Sequence, residues 1–386
     1  MKKVFNGKYL LVFVFLGILA IFFIANLPSV YSVVKAEFKV VSENNINDLI
    51  TPQEIEAQYD DGFYGKMNFV DINGLVHKLT GSKIVNGAIK GENDKLFLEA
   101  DKDYKFDSEK EKQLAEEAVS ILDFADKQGA DVLYVQRPMK FIEGKDKLPY
   151  GFEVEYNDQY DLWCEIFSDN KINVLDLRKS LGKNLNFYKT DHHWTVETSF
   201  YAAKNIVDCL HQKSKFNFDE SKFEEENYYV ESYRQSFLGS EGVKTGKYYV
   251  GKDDFNFLIP EFETDFEYEH YIEGNINKLK KGDFKEAFID NSILEDENYN
   301  NKYNSCLNGG YVENIIKNNN YTDGKKLLVI SDSYARPMVQ YLSMAFSEIR
   351  YLDPQEGRYN DSYIEYIGKY KPDYVIMMYT GEFVEL

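Results

Sequence analysis

Two adjacent histidines are notable in a chain of 386 residues that has only five. His192 and His193 follow Asp191 and precede Trp194, one of two tryptophans. Asp191 and His193 are two positions apart, so in an extended segment both side chains project to one side and His192 faces the other way. A carboxylate in that place can hold the imidazole tautomer that accepts a proton from a serine. The spacing therefore predicts an acid–base pair that serves a nucleophile.

A candidate nucleophile lies in the segment 331–337, which reads SDSYARP. The segment directly follows the apolar run 326–330 and directly precedes a helical pattern. In open parallel sheets, reactive side chains lie at the carboxyl ends of strands, where amides at the start of the next helix can stabilise an oxyanion. Ser333 is the predicted nucleophile. The alternative is that Ser331 or Ser333 only caps the helix.

Four neighbouring side chains are candidates for contact with a substrate or an oxyanion: His192, Trp194, Tyr334 and Arg336. The histidine cluster has three other interpretations. Thr195 could be a helix N-cap after an ordinary loop, the histidines could bind a metal, or one of them could pack on Trp194. A metal site needs more carboxylates or histidines at ligand spacing, and no such motif accompanies the cluster. We predict neither a metal nor another cofactor.

The elements that must position these groups alternate between strand and helix. Apolar strand patterns cover 131–136, 172–177, 326–330, 348–352 and 373–379. A capping box at Ser108 and Glu111 predicts a helix that ends at Gly129, and helical spacing recurs around 338–346 and 363–368. Buried strands alternating with helices predict an α/β fold with a doubly wound parallel sheet.

The middle of the chain has a different composition. Residues from about 212 to 305 are rich in Asn, Asp, Glu, Tyr and Phe and show only short strand-like pieces. We predict that this segment is an insertion or subdomain within one catalytic domain that covers 61–386, with a loop at 298–304.

The amino terminus predicts a membrane anchor. Residues 9–25 carry no charge, and with Asn26 and Leu27 they nearly cross a hydrocarbon layer of about 30 Å. The only charged side chains before them are lysines, which predicts a cytoplasmic tail at 1–8, an anchor at 9–27, a juxtamembrane stalk at 28–60 and an extracytoplasmic bulk. A cleavable signal peptide is the alternative, but no small-x-small site follows the apolar run. We therefore predict a single-pass protein of the cell membrane.

The overall composition excludes several classes. With 44% hydrophobic residues and only 8 prolines, the chain is not mainly disordered. The formal charge of −20 argues against a nucleic-acid partner, because backbone-driven binding needs clustered cations. Three cysteines, Cys164, Cys209 and Cys306, are too few for a disulfide framework and could supply one disulfide at most.

Three segments resemble a known family: KTDHHWT at 189–195, FLGSEGVKTG at 237–246 and VISDSYARP at 329–337. They resemble the SGNH-hydrolase-like proteins of the alginate O-acetylation type, and most closely their DHHW branch. Weaker similarity extends from about residue 60 to the end. The resemblance implies an SGNH-like domain with permuted motif order, with Ser333 as nucleophile, His193 as general acid/base and Asp191 as its orienter. Ser331 stands where the family has the glycine of its GDS block, and no equivalent of the family's Asn block is found.

The resemblance also implies a function. The chain would be an anchored extracytoplasmic O-acyltransferase that O-acetylates a cell-envelope polysaccharide through an acyl-serine intermediate. Because acetyl-CoA is cytoplasmic, a multi-spanning membrane-bound O-acyltransferase would deliver the acyl group, which could be acetyl or D-alanyl. Two alternatives stay open: a carbohydrate O-acetyl esterase, with water as acceptor, and a non-catalytic polysaccharide-binding scaffold subunit.

Overall fold

The computed structural model describes residues 7–42, 63–98, 105–149, 156–272, 275–296, 301–309, 311–321, 324–356 and 363–381. The chain divides into two compact units, Met1–Asn73 and Gly74–Leu386.

The first unit contains helix α1, Gly7–Ser42. Within it, Tyr9–Pro28 has a mean hydropathy of 2.9 and is long and apolar enough to cross a membrane. The helix continues through Pro28, so the first part of the expected stalk is helical. Residues 43–62, which include the rest of that stalk, lie outside the described residues, as do residues 1–6 of the expected tail.

Helices and short strands make up the second unit. The other helices are α2 (Lys66–Thr80, which begins in the first unit), α3 (Ser108–Lys127), α4 (Tyr156–Asp169), α5 (Leu177–Ser180), α6 (Val196–Ser214), α7 (Ser240–Thr245), α8 (Lys247–Val250), α9 (Phe284–Phe288), α10 (Asn291–Glu295), α11 (Ala335–Leu342) and α12 (Tyr363–Tyr370). The strands are β1 (Ile84–Val85), β2 (Ala88–Lys90), β3 (Leu96–Leu98), β4 (Asp131–Gln136), β5 (Asn173–Asp176), β6 (Tyr228–Phe237), β7 (Asp253–Pro260), β8 (Phe266–Ile272), β9 (Asn275–Gly282), β10 (Glu313–Asn318), β11 (Lys326–Ser331), β12 (Glu348–Leu352) and β13 (Tyr374–Met378).

The central sheet has eight strands in the order β5-β4-β13-β11-β12-β10-β8-β9. The five strands from β5 to β12 are parallel. The last three pair antiparallel and form one edge of the sheet. The predicted α/β fold with a central parallel sheet is confirmed, and the antiparallel edge is an addition that the sequence analysis did not anticipate.

Helices cover both faces of the parallel part. Leu327 and Val329 of β11 pack in a core that includes α6 and α11. Leu328 and Ile330 of the same strand point the other way, into a core that includes α3, α4 and α12. Because successive side chains of a strand point to opposite faces, a strand buried on both faces is apolar throughout.

The segment 212–305 contains longer strands than expected. Strands β6 and β7 form a two-stranded antiparallel sheet of their own, whereas β8 and β9 extend the central sheet through pairing with β10. Strand β8 reads FEYEHYI, where charged and aromatic residues alternate. Alternation of this kind is typical of an antiparallel strand with one solvent-exposed face. Because of its charged residues, a search for apolar runs does not find the strand.

Two smaller expectations need correction. The N-cap of α3 is Asp107, not Ser108, because its carboxylate accepts hydrogen bonds from the amides of Glu109 and Lys110. Helix α11 begins at Ala335, before the expected start at 338, because Pro337 is tolerated in a first helical turn. It ends at Leu342, before the expected end at 346. All three cysteines are free thiols.

Candidate active site

Ser333 lies where the predicted nucleophile should lie, at the carboxyl end of the sheet's central strand. Strand β11 ends at Ser331, and α11 begins two residues after Ser333. The Ser331 hydroxyl donates to the carbonyl of Met378 on the neighbouring strand, at 2.8 Å. The N-cap of α11 is Tyr334, without a side-chain cap. The capping alternative is therefore wrong for both serines, and the half-buried Ser333 is left for another role.

The histidines lie in a tight loop that ends at α6. A β-bridge between Phe187 and Trp194 closes this loop, and Thr195 caps the helix by accepting a hydrogen bond from the amide of Thr198. The loop bends, so the expected extended geometry is wrong. His192 does not face away from His193, because their ring centroids are only 3.9 Å apart.

Asp191, His193 and Ser333 form a continuous chain of hydrogen bonds. The distance from Asp191 Oδ1 to His193 Nδ1 is 2.6 Å, and His193 Nε2 lies 2.7 Å from Ser333 Oγ. The ring of Tyr303 stacks on the imidazole, with centroids 3.8 Å apart, and its hydroxyl donates to the carbonyl of Ser333 at 3.2 Å. The structure thus brings together three groups that are separated by up to 142 positions along the chain.

The surroundings set the charge state of this chain of groups. Asp191 is fully buried, and its carboxylate accepts hydrogen bonds from the amide of His193 at 3.0 Å and the amide of Ser240 at 2.8 Å. Burial alone would raise the pKa of Asp191, but the neighbouring imidazoles of His193 and His192 lower it well below its usual range. Burial lowers the pKa of His193 to about 4. The imidazole is therefore neutral near pH 7, and its Nε2 can accept the hydroxyl proton of Ser333.

A second layer of residues holds the segment that carries Asp191, the acidic end of the hydrogen-bonded chain, in place. The Asp253 carboxylate accepts hydrogen bonds from the amide of Lys189 at 3.0 Å and from the amide and hydroxyl of Thr190 at 2.9 and 2.5 Å. The Thr190 Oγ1 in turn accepts from the amide of Gly239 at 3.0 Å. Gly239 approaches Asp191 so closely that a Cβ there would lie 2.6 Å from Asp191 Oδ2. These contacts fix the loop in front of the catalytic candidates.

Ser333 opens into a pocket of about 140 Å³. Its lining includes four charged side chains that the sequence analysis did not select: Arg137, Lys140, Glu241 and Asp332. Arg137 forms an ion pair with Asp332 at 2.8 Å and lies over the ring of Tyr334, 4.2 Å from its centroid. The available signal was weak: Glu241 and Asp332 fall within segments that carry the family resemblance, 237–246 and 329–337, and Arg137 and Lys140 fall within the weaker similarity that extends from about residue 60.

The four further candidates divide into two pairs. His192 and Tyr334 line the pocket, and the Tyr334 hydroxyl donates to the carbonyl of His192 at 2.6 Å. Trp194 is fully buried, and its indole N–H donates to the carbonyl of Tyr334 at 3.1 Å, so it braces the turn after the nucleophile. Arg336 donates to Asn304 Oδ1 at 3.1 Å.

The same cluster is the one group of three potential metal ligands among the described residues. The donor atoms of Asp191, His192 and His193 lie within 4.8 Å of one another. The Asp191–His193 hydrogen bond of 2.6 Å joins two of these donors directly, and Asp191 Oδ2 also accepts from the Ser240 amide. In a metal site each ligand atom would direct a lone pair at the ion. Ligand atoms that are hydrogen-bonded to one another in this way do not fit such a site.

Comparison with known proteins identifies a similar family. Residues 88–254 match the family model described as an SGNH hydrolase-like domain of the acetyltransferase AlgX, a range that includes Asp191 and His193. The family resemblance is confirmed. A search of curated proteins finds no match.

Among solved structures, the chain is similar to Bacillus cereus PatB1 with a sulfonyl adduct, at 18% identity and a TM-score of 0.58, covering 77% of this chain and 98% of PatB1. It is also similar to a DHHW family protein from Eubacterium siraeum, at 19% identity and a TM-score of 0.47, covering 68% and 86% of the two chains. A third similar structure is the O-acetyltransferase domain of Pseudomonas putida AlgJ, at 13% identity and a TM-score of 0.45, covering 76% and 90%. At these identities the similarity to PatB1 shows a shared fold.

Proposed function

We propose that this protein is a serine-dependent O-acyltransferase that acetylates a cell-envelope polysaccharide. The observation that carries the proposal is the hydrogen-bonded chain from Asp191 through His193 to Ser333, at 2.6 and 2.7 Å, which ends in a pocket. The match of residues 88–254 to an acetyltransferase family model supports acetyl as the transferred group.

The proposed reaction has two half-reactions. In the first, His193 Nε2 takes the proton of Ser333 Oγ as this oxygen attacks the acyl carbon of the donor. The leaving group then departs with that proton, and an acyl-serine remains. In the second, His193 takes a proton from an acceptor hydroxyl, whose oxygen attacks the acyl-serine, and returns the proton to Ser333 Oγ. In both steps Asp191 stabilises the transient imidazolium and keeps its orientation.

The apolar helix and the chemistry of the donor suggest where this reaction takes place. Tyr9–Pro28 would anchor the protein as a single pass in the cell membrane, with the second unit outside the cytoplasm. Activated acetyl groups are made in the cytoplasm, so this arrangement needs a partner that carries them across. We propose a multi-spanning membrane-bound O-acyltransferase as that partner and a polysaccharide as the acceptor.

Hydrolysis is the second candidate function. Ser333 is half-buried, so water can reach an acyl group on its oxygen. An enzyme that cannot keep water from competing with a sugar would act as a carbohydrate O-acetyl esterase. The two functions share every residue of the proposed mechanism and differ in the acceptor.

The test is a transfer assay with the full-length protein in detergent. The protein is incubated with p-nitrophenyl acetate and envelope oligosaccharides, and the sugars are analysed by mass spectrometry. Sugars that gain acetyl groups support transfer, whereas free acetate alone supports the esterase. Absence of both products above the level of Ser333→Ala contradicts the enzymatic proposal and favours a non-catalytic scaffold.

A further inference from the structure

Two buried side chains of opposite charge face the pocket next to Ser333, and their hydrogen-bonding capacity is not used up. Glu241 is fully buried, and within the part of the chain that the structure describes its Oε2 has no hydrogen-bond partner. Lys140 is 5% exposed. Its ammonium group donates to the carbonyl of Lys189 at 3.0 Å and lies 3.9 Å from Glu241 Oε2.

This separation is too long for a direct hydrogen bond and suits a bridging group. Buried carboxylate oxygens are normally satisfied, so an Oε2 that faces a pocket without a partner points to a ligand. A group placed between the two residues must accept from the Lys140 ammonium and donate to the Glu241 carboxylate. A neutral hydroxyl does both. A second carboxylate or a phosphate would be repelled by Glu241, and an ammonium group would be repelled by Lys140.

The protein holds both residues firmly. The Glu241 Oε1 accepts a hydrogen bond from the Ser240 hydroxyl at 3.2 Å and lies 3.6 Å from His192 Nδ1. Through Ser240, which also donates to Asp191, this carboxylate is connected to the acidic end of the proposed triad. The position of Oε2 is therefore set by the same contacts that position the catalytic candidates, and this pre-organisation favours binding.

We propose that Lys140 and Glu241 form an acceptor subsite, which binds a neutral hydroxyl of the sugar adjacent to the hydroxyl that receives the acyl group. This inference rests on the proposed function. The bound hydroxyl donates to Glu241 Oε2 and accepts from Lys140 Nζ, while its neighbour on the sugar ring reaches the acyl-serine at Ser333. No bond is made or broken at the subsite, so both residues determine acceptor specificity and leave acylation unaffected.

The experiment separates the two half-reactions in the full-length protein in detergent. The p-nitrophenolate burst with p-nitrophenyl acetate measures acylation of Ser333, and transfer to a methyl hexoside measures use of the acceptor. For Glu241→Gln and Lys140→Met we expect a burst within about threefold of the wild type and an acceptor KM raised at least tenfold, because each variant loses a charged hydrogen bond. Glu231→Gln, in the ion pair with Lys285 outside the pocket, is the matched control and should leave both values unchanged.

Deoxy acceptors identify the bridging group. The hexoside that lacks the bridging hydroxyl should show the raised KM with the wild type and no further loss with Glu241→Gln. If every deoxy hexoside behaves like its parent, or if both variants keep the wild-type acceptor KM, the subsite is refuted.

Two results concern other parts of the account. A wild type that shows no burst contradicts the proposed function, and the subsite with it. If Glu241→Gln loses the burst, its carboxylate has a structural role, and Lys140→Met, which leaves the Ser240 contact intact, decides: an unchanged acceptor KM in that variant overturns the subsite.

Discussion

Gly239→Ala is the substitution that most sharply tests whether the position of Asp191 matters. The backbone φ of Gly239 is −74°, which any residue adopts, so the effect of a methyl group there is purely steric. The added Cβ would lie 2.2 Å from Asp191 Cβ and 2.6 Å from its Oδ2, whereas ordinary contact begins at 3.4 Å. The two segments must therefore separate by roughly 1.2 Å. A displacement of about 1 Å in a catalytic group can cost about 100-fold in rate, and overpacking of a core costs about 1–3 kcal/mol.

The assay combines burst kinetics with thermal unfolding. We expect Gly239→Ala to lower the rate of Ser333 acylation about 100-fold and Tm by only a few degrees. Gly368→Ala in α12 is the matched control, because a methyl group there meets no atom of a neighbouring element within 4 Å among the described residues. The control should keep full activity. If Gly239→Ala folds and acylates within threefold of the wild type, the reasoning about Asp191 is wrong.

Three further predictions concern the support and charge state of the site. Asp253→Asn should lower Tm and reduce the burst rate about tenfold, because an amide cannot accept all three hydrogen bonds from Lys189 and Thr190. The hydrogen bonds that are lost cost about 1–3 kcal/mol. Differential scanning calorimetry measures the change in Tm, and burst kinetics measure the change in rate. Since burial lowers the pKa of His193 to about 4, the base stays neutral above that pH, so the burst rate should be constant between about pH 5 and 7 and half-maximal near pH 4; a midpoint near 6.5, the ordinary histidine value, would contradict this. Tyr303→Phe should keep the burst within threefold, and Tyr303→Leu should lower it more than tenfold, because only the second removes the ring stacked on the imidazole; equal rates would show that stacking is unimportant.

The parallel half of the fold could be predicted from local sequence, and the antiparallel edge could not. The observed bounds of β4 and β12 are those expected from the sequence. Strand β4 is buried at five of its six positions, and a strand buried on both faces reads as an apolar run. Strands β8 and β9 carry charged residues among their apolar ones, so a search for apolar runs does not find them. Their pairing with β10 depends on contacts that residue spacing does not encode.

The candidate site divides in a similar way. Asp191, His193 and Ser333 could be selected because each lies in a short segment whose composition and place in the strand–helix order point to chemistry. Arg137, which pairs with Asp332 from 195 positions away, and Ser240, which donates to Asp191 across 49 positions, could not be assigned from their own neighbourhoods. The contrary orientation expected for His192 came from assuming an extended segment, whereas the β-bridge at Trp194 forces a bend.

The most direct test of the account is the site of acylation. The full-length protein is mixed with p-nitrophenyl acetate, quenched within the burst phase and digested, and its peptides are weighed. The account predicts one added acetyl group on the peptide that contains Ser333, and none on that peptide in His193→Ala. An acetyl group found elsewhere, or equal labelling of Ser333 in the variant, would contradict the claim that these residues act as one catalytic unit.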